Sequence, residues 1–285
     1  MSPRTERYLD LALQGRNHWW RYALGAFTIA GSWLVLGLLP FFILARAGFT
    51  DPVFDYIGVN LSIFMMLGGL GVTVKWIHGR PLMSLVTPFA RFDWGRAAYG
   101  AAIWAAIAAV IVVSEHLLFP GRYYLSFNPE RFFLFFVLVL ALTPIQCVTE
   151  EMVFRGYLMQ GLGRLTRHPA LIAIAGSLVF TVPHLMNPEV HDHGVLVMAA
   201  NYFAIGLLLA TITLRDGRLE LAIGVHTANN VLLALVANYE GSALMTESIF
   251  TARSLDPWYS LGALVSGALA FHWWVFRRSA GSPPA

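Results

Sequence analysis

An all-α polytopic membrane protein of about eight helices is what three observations on this 285-residue chain predict. Hydrophobic residues make up 57% of it and charged residues only 12%, against about 25% charged in a soluble domain. The apolar residues fall in runs of roughly 20, the length that crosses a bilayer core as a helix. Lysine and arginine collect in alternate loops, the pattern left by the positive-inside bias.

The runs are 22–45, 57–74, 97–118, 132–149, 170–185, 195–214, 221–237 and 258–276. Residues 1–21 carry Arg4, Arg7, Arg16 and Arg21 without a continuous apolar core. They read as a cytoplasmic or interfacial lead-in that ends at the belt residues Trp19, Trp20 and Tyr22, not as a cleavable signal peptide. The loop 76–96, with Pro81, Pro88 and Trp94, reads as lying along the interface, and 238–257 as a polar outer loop. With the N-terminus inside, fifteen of the nineteen Lys and Arg residues are cytoplasmic, and only Arg46, Arg122, Arg131 and Arg253 lie opposite. That split predicts an integral protein of the cell membrane with both termini cytoplasmic, including a tail at 277–285. No linker divides residues 22–276, which read as a single transmembrane domain. There is no basic run for nucleic acid, and a single cysteine excludes an intrachain disulfide.

Three charges interrupt the fourth run, at Glu150, Glu151 and Arg155. A charge near the bilayer centre costs about 2.5–3.5 kcal/mol on insertion scales, so such residues need a reason. Glu151 and Arg155 are one helical turn apart with the acid first, the better order for an ion pair. Glu150 is turned about 100° away from Glu151 and is left free to react. Two further helices carry His184 and the set His226, Asn229 and Asn230. His226 and Asn230 share one face. A hairpin turning near Arg167 would put Glu150 and His184 each about 25 Å from the turn, provided that the fourth helix continues through Gly161.

Glu150-Glu151-x-x-x-Arg155, Phe180-x-x-x-His184 and His226-x-x-x-Asn230, in this order on three helices, resemble the CPBP intramembrane proteases, which include CAAX prenyl protease 2, the type II CAAX endopeptidase. The resemblance covers about 132–237. It implies an endopeptidase acting on a membrane-associated peptide or protein, in which Glu150 and His184 activate a water while His226 and Asn230 form an oxyanion hole. Burial makes a carboxylate a stronger general base, which suits that role. Members have also been described as metalloproteases, and Glu150, His184 and His226 could supply three Zn2+ ligands. No H-E-x-x-H helix is present, and a metal-free glutamate mechanism without a cofactor is the favoured expectation.

Other classes use the same residue types. Buried acids and histidines build proton relays in transporters and channels, although no inverted repeat or pair of broken helices is found. A non-catalytic immunity or binding protein of the same fold would tolerate loss of Glu150. Cys147, one turn before Glu150, reads as a small hydrophobe rather than a nucleophile. His191-Asp192-His193 reads as a solvated loop, and Gly68-Gly69-Leu70-Gly71 as a helix-packing patch.

Overall fold

The computed structural model describes residues 1–49, 51–244 and 246–277. Arg278 and the rest of the expected tail lie outside the described residues. The chain is an all-α polytopic membrane protein. Its helices are α1 (Pro3–Leu9), α2 (Trp19–Arg46), α3 (Pro52–His78), α4 (Trp94–Leu118), α5 (Pro129–Leu162), α6 (Pro169–His184), α7 (Pro188–His193), α8 (Val195–Asp216), α9 (Glu220–Leu235) and α10 (Pro257–Phe276). Start signals are local. Asp51, Asp93, Asn128 and Asp256 each accept a backbone N–H of the helix that follows, and proline stands in the first turn of α3, α5 and α10.

Six of these helices are long and apolar enough to cross a membrane, fewer than the eight spans expected. The other two, α6 and α9, have 16 residues each and reach only about 24 Å, short of a hydrocarbon core of about 30 Å. The fourth run behaves oppositely. Helix α5 continues for 34 residues to Leu162, about 51 Å, with a wide π-type stretch at Met152–Leu158 directly after the two glutamates. One overlong helix and two short ones therefore surround the charged residues.

Glycines decide how α4 meets α9. A Cβ on Gly224 would lie 2.0 Å from the Ala97 carbonyl oxygen, and one on Gly100 2.7 Å from that of Leu221. Only bare backbone fits at this crossing, which brings the α4 residue Trp104 within reach of α9. Of the three glycines in the α3 patch, a Cβ would meet a neighbour only at Gly69, against Ser32 and the Thr28 carbonyl of α2.

Two segments sit deeper than their composition suggests. In the N-terminal lead-in, α1 buries Tyr8 and Leu9, and Thr5 Oγ1 donates to the Leu214 carbonyl at 2.6 Å. The Tyr8 hydroxyl lies 2.8 Å from the Leu85 carbonyl and 3.1 Å from that of Arg155. The segment caps one end of the bundle. The loop after α3 packs partly into the bundle: Ser84, Leu85, Val86 and Thr87 are buried, and Gln160 Nε2 donates to the Ser84 carbonyl at 2.8 Å. At the opposite end, the loops form three short strands, β1 (Tyr123–Leu125), β2 (Ala237–Tyr239) and β3 (Phe250–Ala252), in the order β1-β3-β2. The β1/β3 pair is antiparallel and the β2/β3 pair parallel. Arg131 ties this end together through Asp51 and Glu247.

Candidate active site

One imidazole stands between the two glutamates of α5. His226 Nδ1 lies 2.8 Å from Glu151 Oε1, and its Nε2 lies 3.9 Å from Glu150 Oε2. A carboxylate offers no proton here, so Nδ1 is the nitrogen that donates. The 100° between consecutive side chains thus places the two acids at opposite nitrogens of one ring. His226 is six residues past the start of α9, about 9 Å into the bundle.

Glu151 is fully buried and serves two donors. Arg155 Nη1 donates to its Oε1 at 3.0 Å, the same oxygen that holds His226. Arg155 is itself buried; its Nη2 donates to the Gly206 carbonyl at 3.3 Å and its guanidinium lies 4.2 Å from the Phe180 ring centre. Among the described residues, Glu150 has no cation of this kind. It is 6% exposed, and Gln146 Nε2, one turn earlier, donates to its Oε1 at 3.2 Å. Sequence reasoning missed Gln146, although its i,i+4 position before Glu150 was the available signal.

His184 is the last residue of α6. Its Nδ1 donates to the Phe180 carbonyl at 2.8 Å, which leaves Nε2 as the free nitrogen. The ring packs on Phe180 and Tyr202, with centroids 4.4 Å and 4.9 Å away. Among the described residues, His226 contacts both Glu150 and Glu151, Arg155 contacts Glu151, and no hydrogen bond joins His184 to Glu150. Asn230 Nδ2 lies 3.4 Å from His226 Nε2.

A further buried carboxylate supports the histidine side. Glu189 of α7 is 2% exposed and accepts the Tyr239 hydroxyl at 2.6 Å, the Ala243 N–H at 2.8 Å and the Tyr202 hydroxyl at 3.4 Å. Burial and the neighbouring Glu189 carboxylate push the Tyr239 hydroxyl well above the ordinary tyrosine range, so it stays a donor. His191 and Asp192 on the same short helix are exposed. Nothing in the local sequence singles out Glu189 from its solvated neighbours, because its partners come from α8 and β2.

Among the described residues, no group of three His, Cys, Asp or Glu side chains is arranged to hold a metal ion, Glu150, His184 and His226 included. Cys147 is fully buried. An apolar cavity of about 550 Å³ borders the site on the strand side, and its walls include Trp104, Tyr202, Asn229, Leu233 and Tyr239.

Residues 129–232 match the family model described as type II CAAX prenyl endopeptidase Rce1-like. The matched segment contains Glu150, Glu151, Arg155, His184, His226 and Asn230. The chain is similar to the uncharacterized protein YyaK of Bacillus subtilis (strain 168), at 26% identity over 276 residues, covering 91% of this chain and 92% of that protein. No solved structure matches the chain.

Proposed function

We propose that the Rce1-like segment makes this integral membrane protein an intramembrane endopeptidase of the CAAX-protease type, acting on a membrane-associated peptide or protein through a metal-free glutamate mechanism. The observation that carries this reading is a carboxylate, Glu150, buried beside His226 without a neutralising cation of its own. A buried acid left in that state is costly to keep, which marks it as a functional candidate.

Gln146 holds Oε1 of Glu150, so Oε2 is the oxygen that takes a proton from water. His184, with Nδ1 committed to backbone, presents Nε2 to the same water. The water oxygen bonds to the scissile carbonyl carbon, and the negative charge moves to the carbonyl oxygen on the His226–Asn230 side. The Asn230 amide is the donor aimed there, worth about 10²–10³ in rate. Collapse breaks the C–N bond, and Glu150 returns the proton to the leaving amine. A base placed this way contributes about 10²–10⁴.

The test is cleavage of a fluorogenic peptide presented in detergent micelles or vesicles. Glu150→Gln keeps the shape and the Gln146 contact and removes the base, so cleavage should disappear with the melting temperature unchanged. Chelator should leave the wild-type rate as it is. Equal rates from wild type and Glu150→Gln would overturn the mechanism.

A further inference from the structure

We infer that Trp104 and Asn229 are positioning residues that fix the direction of the Asn230 amide, so that Asn230 holds an N–H over the reaction centre while His226 Nε2 acts as its acceptor in the resting state. Trp104 Nε1 lies 3.1 Å from Asn229 Oδ1, Asn229 Nδ2 lies 3.2 Å from Asn230 Oδ1, and Asn230 Nδ2 lies 3.4 Å from His226 Nε2. His226 Nδ1 completes the line at Glu151 Oε1, 2.8 Å away.

The two ends of this line determine its polarity. An indole N–H can only donate, and an ionised carboxylate can only accept. Starting from Trp104, Asn229 must present its carbonyl oxygen to the indole, which turns its NH2 to the Asn230 oxygen and turns the Asn230 NH2 towards His226. Starting from Glu151, His226 must carry its proton on Nδ1, which makes Nε2 an acceptor in the neutral ring. Both deductions meet at the Asn230–His226 contact and agree. One Asn230 hydrogen serves Nε2, and the other is left for a developing oxyanion.

The start of the line is buried, with Trp104 2% exposed. The bare-backbone crossing at Gly100 and Gly224 holds the indole against α9. Trp104 lies outside residues 129–232, so the support for Asn230 comes from a helix beyond the matched segment.

The kinetic part of this inference rests on the peptidase reading, whereas the relay itself can be observed without turnover. In the full-length protein in detergent, Trp104→Phe should lower kcat about tenfold with KM unchanged, by freeing an amide that must not flip. Asn229→Asp leaves only acceptors at that position, so Asn230 turns its NH2 away from the site and kcat should fall about a hundredfold. In an Asn230→Ala background, Trp104→Phe should cause no further loss, because the group it positions is gone. Losses that multiply in that background would assign Trp104 to packing alone and overturn the inference. The independent readout is the Trp104 indole N–H resonance, which should move on Asn229→Asp. An unmoved resonance would overturn the relay; a moved one in a wild type that cleaves no peptide would keep the relay and reject the peptidase reading.

Discussion

His226 donates through Nδ1 to Glu151 Oε1 at 2.8 Å, across 75 residues of sequence. The acid that pairs with Arg155 is thereby also the acid that holds the imidazole. Glu151 is not only one half of a structural pair: it sets the tautomer and the direction of His226, and any change at Arg155 is felt there.

Arg155→Ala should therefore lower both stability and activity. Removing one partner from a buried ion pair leaves the other uncompensated, at a cost of about 3–5 kcal/mol, and Glu151 already has a second oxygen without a protein donor. Melting temperature and peptide cleavage check this together. A normally stable, fully active Arg155→Ala protein would mean that solvent reaches the pair.

Tyr202→Phe removes one oxygen atom and keeps the ring that packs on His184. The hydroxyl accepts from Asn187 Nδ2 at 2.9 Å and donates to Glu189 at 3.4 Å, so its loss releases the ring from both ties. His184, at the end of α6, has only its Phe180 carbonyl bond besides. We expect kcat to fall about tenfold while KM and melting temperature hold; an unchanged kcat would show that the stack alone orients His184.

Cys147→Ala should retain most activity and cost about 1 kcal/mol of stability, as a buried small side chain with no part in the chemistry does. The variant also provides a cysteine-free chain in which single cysteines report topology. Labels at Ser2 and at Leu165, 84% exposed, should react from the cytoplasmic side. Any other pattern would reject the orientation drawn from the arginine bias.

Short-range chemistry made part of the site legible in the chain. Four-residue spacing is enough to bring Arg155 to Glu151, and Asn230 to the same face as His226, because both pairs lie on single helices. The same spacing joins Gln146 to Glu150, yet a glutamine within an apolar run carries no charge to announce it. Glu189 and Tyr202 were hidden for a different reason: in sequence they are one more loop acid and one more membrane tyrosine, and only the meeting of α7, α8 and β2 gives them a shared purpose.

By itself, the sequence determined the membrane class, the identity of the charged helix and the order of the candidate site residues, because hydropathy and helical period act over about 20 residues or fewer. Tertiary structure decided which nitrogen of His226 meets which acid, where His184 comes to rest, and that a tryptophan 125 residues before Asn229 directs the amide beside it. Those depend on the glycine crossing of α4 with α9 and on the unequal lengths of α5, α6 and α9. Hydrogen bonds form only over a few tenths of an ångström and a narrow range of angles, and no periodicity along the chain encodes a distance between helices that finely.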